Sequence, residues 1–79
     1  MYFIAKFKEP LAHKDAYFIL DINKDARPKE VENALCDLFQ KHYKRTADNI
    51  VGDCTEYIII SGFTTCLVTI IDADDFISI

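Results

Sequence analysis

Between Pro28 and Arg45 the apolar side chains keep a single spacing. Val31, Ala34, Leu35, Leu38 and Phe39, with His42 continuing the row, fall at i, i+3, i+4, i+7, i+8 and i+11. That pattern is one face of a helix. Lys29, Asn33, Asp37, Gln40, Lys41 and Lys44 fall on the other side, and Asp37–Lys41 is a helix-stabilising i,i+4 pair. Pro28 belongs in the first turn, where its missing N–H has no partner to lose, and Asp25 is placed to cap it. Glu30 and Glu32 sit near the positive end of the helix dipole; Lys41, Lys44 and Arg45 sit near the negative end. Thr46 to Ile50 can add one more turn, and Gly52 with Asp53 is the last place where the helix can stop.

A helix with one apolar stripe needs a surface to cover, and the flanking segments supply a sheet. In Tyr2–Lys8, Phe3, Ala5 and Phe7 alternate with Tyr2, Ile4, Lys6 and Lys8, the period of a strand. Pro10 ends that run, and residues 9–15 form a loop carrying His13, Lys14 and Asp15. A second strand runs from Ala16 to about Asn23, with Phe18, Leu20 and Ile22 on one face and Tyr17, Ile19 and Asp21 on the other. The short connection predicts an antiparallel hairpin. After the helix, Tyr57–Ile60 and Thr65–Ile71 are dense in Ile, Val and Thr, which favours strands, and Ser61-Gly62 supplies the turn between them. Asp72 to Asp75 reads as a further turn, with Phe76 to Ile79 returning as a short fifth strand. The expected fold is α+β: one domain over residues 1–79, an antiparallel sheet of four or five strands, and one helix packed on one face, in the order β-β-α-β-β.

One consequence bears on function. The strands are apolar on both sides. Tyr2, Ile4, Tyr17 and Ile19 oppose the Phe3, Phe7, Phe18 and Leu20 set; Ile58 and Ile60 oppose Tyr57 and Ile59; Leu67 and Ile71 oppose Val68 and Ile70. Strands apolar on both sides are normally buried on both sides. One helix can cover one face only, so the other face is expected to meet another molecule.

Small size sharpens that expectation. At 79 residues a domain buries only about 60% of its unfolded surface, and such domains lean on disulfides, a metal or a partner subunit. Cys36, Cys54 and Cys66 are odd in number and widely spaced, unlike a zinc pair, a redox pair or a secreted disulfide framework. They read as reduced thiols of a cytoplasmic protein. Lys6 follows the first apolar residues too early for a signal peptide, and the longest uncharged stretch, Tyr57 to Ile71, is broken by Ser61-Gly62 and Thr64-Thr65 and is too short to span a membrane. The net charge of −4 is divided unevenly. Residues 1–45 hold all nine Lys and Arg against seven acids; residues 46–79 hold six acids (Asp48, Asp53, Glu56, Asp72, Asp74 and Asp75) and no Lys or Arg. Direct nucleic-acid binding needs clustered cations and is not expected.

Catalytic constellations are missing from the sequence. Cys36 and His42 lie six residues apart on the helix, about 120° from one face to the other, too far round to pair. His13 falls in a solvated loop. Asp72, Asp74 and Asp75 resemble the opening of a calcium loop, without the central glycine or the distal glutamate. Gly52 and Gly62 are isolated, so no phosphate cradle is present. No catalytic residue, cofactor or metal is therefore expected.

The expectation is a non-enzymatic protein that works by contact, as a homodimer or with another protein. The candidate residues are Tyr2, Ile4, Tyr17, Ile19, Ile58 and Ile60 on the free sheet face, and Asp72, Asp74 and Asp75 at an acidic edge able to imitate phosphate spacing against a cationic groove. Small size, acidity and an α+β fold describe many phage and mobile-element inhibitors of host defence, anti-CRISPR proteins among them, which act in the host cytoplasm. The alternative is a small intracellular dimerisation or ligand-sensing domain.

Overall fold

The computed structural model describes residues 2–9, 14–53 and 55–77, the side chains of 76 and 77 excepted. Strands β1 (Tyr2–Lys8) and β2 (Ala16–Asp21) precede helix α1 (Pro28–Tyr43). Then come β3 (Asn49–Gly52), β4 (Glu56–Ser61), β5 (Thr64–Asp72) and a short helix α2 (Ala73–Ile77). The five strands form one sheet in the order β2-β1-β5-β4-β3, every neighbour antiparallel. β1 and β2, β3 and β4, and β4 and β5 are neighbours in both sequence and sheet, and the remaining connection, through α1, carries the chain from the β2 edge to the β3 edge across one face. The α+β class and the single long helix on one sheet face agree with the sequence.

Cross-strand register fixes which side chains share the helix face. Phe3, Ala5 and Phe7 of β1 stand opposite Leu20, Phe18 and Ala16 of β2. Ala5 and Phe7 also stand opposite Ile70 and Val68 of β5, and Tyr57 and Ile59 of β4 oppose Val68 and Cys66. Val31, Leu35 and Phe39 descend onto this surface, and with Ala5, Phe7, Leu20, Tyr57, Ile59, Cys66 and Val68 they form the buried core. Phe7 meets Phe18 edge-on at 5.3 Å between ring centroids, the geometry that ring quadrupoles favour.

The helix begins at Pro28, as its pattern implies, but is capped differently and ends earlier. Its cap is Arg27, not Asp25, and no side chain bonds to the first turn. A residue before proline is pushed toward extended backbone, and Arg27 has φ −73° and ψ 156°, so Pro28 sets the start. Asp25 instead sits in the preceding turn, where its N–H donates to Asn23 Oδ1 at 3.0 Å. At the far end Lys44 adopts φ 59° and its N–H donates to the Gln40 carbonyl, which closes the helix. The extension through Thr46 to Ile50 does not occur. The Thr46 carbonyl accepts from Ser61 Oγ at 2.8 Å, and Asp48 N–H donates to the Ile60 carbonyl at 2.8 Å. Pairing with β4 therefore draws this segment into the sheet, and β3 is the fifth strand.

Two other expectations change. The second strand stops at Asp21, so Ile22 and Asn23 belong to the loop. Ala73–Ile77 is helical, not a turn followed by a strand. Asp72 Oδ1 accepts the Asp74 N–H at 2.9 Å, a local bond that competes with a strand ladder and starts α2. Residues 78 and 79 of the expected final strand lie outside the described residues, as do Pro10, His13 and Cys54.

Candidate protein-binding face

On the side of the sheet away from α1, the register lays the side chains out in rows. Ile19, Ile4 and Ile71 form one row across β2, β1 and β5. Next comes a polar row, Tyr17, Lys6, Thr69 and Glu56, across β2, β1, β5 and β4. A third row, Lys8, Leu67, Ile58 and Val51, crosses β1, β5, β4 and β3. Ile60 stands beyond it, between Asn49 and Thr65. Two apolar rows thus flank a polar one.

Exposure separates the two faces sharply. Among the described residues the exposed large hydrophobics are Tyr2, Tyr17, Ile19, Val51, Ile58, Leu67 and Phe63. All but Phe63, which sits in the β4–β5 turn, point to the face away from α1. Ile19 is 68% exposed and Leu67 52% exposed, whereas Leu20 and Val68, their immediate neighbours in sequence, are 3% and 1% exposed. Ile4, Ile60 and Ile71 are half-buried. Single exposed apolar residues are ordinary; a contiguous set on one flat face is not.

The sequence brings Tyr2, Ile4, Tyr17, Ile19, Ile58 and Ile60 to this face, and the structure places all six on it. Leu67 and Val51 join them. The alternation Cys66-Leu67-Val68 already signalled Leu67. Val51 was masked by the expectation that its segment ended a helix. A shallow groove of about 390 Å³ runs beside Val51, Ile58 and Leu67, with the carboxyl-bearing Asp53 and Glu56 along it. Asp72, Asp74 and Asp75 lie apart from these rows: Asp72 ends β5 and accepts the Asp74 N–H, and Asp74 and Asp75 occupy the first turn of α2, where carboxylates suit the helix dipole.

The reactive side chains are arranged for packing. Burial pushes the Cys66 thiol up to about 11, with the Glu9 carboxylate adding to it. Cys36 is raised too, first by burial and then by the Asp37 and Glu32 carboxylates. Nucleophilic thiols have the opposite shift. His42 stacks on Phe18 at 4.1 Å between centroids. Arg45 lies over the Phe39 ring at 5.3 Å, pairs with Glu9 and donates to Thr64 Oγ1 at 3.0 Å, pinning the end of α1 to the β4–β5 turn. No group of three or more metal-ligating side chains converges among the described residues, and no helix there is long and apolar enough to cross a membrane. A second cavity, about 260 Å³, opens between the start of α1 and the sheet, beside Phe3, Ile22, Ala26, Val31, Tyr57 and Ile70.

No family model matches the chain, and neither a curated protein nor a solved structure matches it.

Proposed function

We propose that this is a non-enzymatic protein-binding protein that works through the open face of its sheet. The observation that carries the reading is the clustering of exposed Tyr2, Tyr17, Ile19, Val51, Ile58 and Leu67 on that one face. Burying such side chains is worth roughly 25 cal/mol per Å² of apolar area, so a partner there removes a standing cost. An inhibitor of a host defence complex, encoded by a phage or mobile element, is one kind of protein that would use such a face. A small dimeric regulatory domain is another.

A photo-crosslinking residue at Leu67 tests the reading in the cell that makes the protein, with the same residue at Lys29 on the outer side of α1 as control. Protein adducts are expected from Leu67 and not from Lys29, and Ile58→Asp should abolish them. Absence of adducts from Leu67, or the same adducts from both positions, would overturn it.

The 260 Å³ cavity under α1 favours a second reading, a sensor of a small apolar ligand. That reading expects Val31→Phe to fill the cavity and abolish ligand-induced stabilisation while leaving the crosslinks from Leu67 in place.

A further inference from the structure

We infer that the occupant of the open face is a second copy of this chain, packed sheet on sheet about a two-fold axis that runs along β5. The inference rests on the reading of that face as a protein-binding surface, and it names the partner. Charge complementarity carries it. Thr69 of β5 stands between Lys6 of β1 on one side and Glu56 of β4 on the other. Lys8 follows Lys6 on the β1 side, next to Leu67, and Asp53 follows Glu56 along the groove on the β4 side. The two strands beside β5 therefore carry opposite charges on this face, Lys6 and Lys8 on β1 and Glu56 on β4, with Asp21 further out at the end of β2, and among the described residues neither Lys6 nor Glu56 has an ion-pair partner.

Two sheets packed face to face with their strands aligned admit two kinds of two-fold axis, along the strands or across them. An axis along β5 keeps each row on itself and exchanges the flanks. Leu67, Thr69 and Ile71 then meet their own copies, so the apolar contact is centred on β5. Lys6 faces Glu56 of the second copy, Glu56 faces the second Lys6, and the stem of Lys8 lies over Ile58 with its ammonium beside the Asp53–Glu56 flank. An axis across the strands through Thr69 would set Lys6 on Lys6 and Glu56 on Glu56. Like charges brought together at a closing interface are strongly unfavourable, so the charges select the first axis. The products are two layers of sheet about 10 Å apart with both α1 helices outside.

Strand spacing and rise give each face roughly 20 Å by 24 Å, or about 500 Å² in projection. That is the small end of specific interfaces, so the dimer dissociates on dilution.

Light scattering on the full chain over a concentration series tests the proposal. The wild type is expected to be dimeric at about 100 μM and to dissociate on dilution. Lys6→Glu and Glu56→Lys should each raise the dissociation constant roughly tenfold or more while keeping the wild-type circular dichroism. Mixing the two variants should restore dimers, because each copy then offers one sign to the other's opposite. The double exchange Lys6→Glu/Glu56→Lys should restore them as well. A wild type that stays monomeric, or a dimer that ignores both charge changes, overturns self-pairing. The Leu67 crosslinks separate that failure from failure of the broader reading. Adducts of twice the chain's mass support the second copy. Adducts of any other mass overturn self-pairing and keep the binding face. No adducts overturn both.

Discussion

Leu35 has no exposed surface and stands in the middle of the stripe that α1 lays on the sheet. Leu35→Ala is expected to cost about 2–5 kcal/mol, the lost transfer energy plus the cavity left behind, read as a drop in the urea midpoint. Leu35→Asp should leave the chain unfolded, since an isolated buried carboxylate has nothing to pair with. Cys66 offers a pH test. Its thiol ionises near 9 when unfolded and near 11 when folded. The folded form therefore keeps its proton longer, so this contribution is fully present below about pH 9. It is lost as pH rises toward about 11. Urea melts at pH 8 and pH 10.5 should show a loss on the order of 1–2 kcal/mol, and Cys66→Ala should reduce the slope. Some slope should remain in that variant, because Cys36 and Tyr43 are raised in the same sense.

At the scale of elements the ends are decided by single backbone positions. Lys44 holds φ 59°, a left-handed conformation that a side chain disfavours. Lys44→Gly should relieve that and stabilise the domain by about 0.5–1 kcal/mol, measured as a raised midpoint with the circular dichroism unchanged. Gly52 is the opposite case. A methyl group there would come within 2.6 Å of Tyr57 Cα and 2.8 Å of Tyr57 Cδ1, and nearer still to the Glu56 carbonyl. The close approach of β3 to β4 therefore needs glycine. Gly52→Ala should destabilise by about 1–3 kcal/mol and raise hydrogen exchange first at the β3 amides, those of Asn49 to Val51. The helix pattern, the alternation in β1 and β2 and the Ile- and Val-rich runs of β4 and β5 were all legible, because each is a local period set by one element. The cap at Arg27 followed from Pro28 and was available in the sequence, but the side-chain preference for Asp25 concealed it. β3 was not legible. Asn49-Ile50-Val51-Gly52 is too short to show a period, and it becomes a strand only because β4 offers it a ladder.

For the whole molecule, the division between the two sheet faces is the property with consequences. Ile58→Asp should leave the fold intact, changing stability by about 1 kcal/mol or less, while Leu35→Asp abolishes it; thermal melts of the two variants side by side make the comparison. Local order is enough to specify one long amphipathic helix and strands apolar on both sides, because periods of 3.6 and 2 are written into neighbouring residues. It thereby located most of the open face, from Tyr2 to Ile60. That β5 lies at the centre between β1 and β4 emerges only in the folded chain, since strand order depends on contacts between residues far apart in sequence. That order is what sets Lys6 and Glu56 on opposite flanks of Thr69. The acidic run after Ile71, expected as a turn, opens α2 instead, with a local hydrogen bond from Asp74 N–H to Asp72 at its start. Periodicity says which side of an element is apolar; only the packed chain says which elements share that side, and so which charges stand beside it.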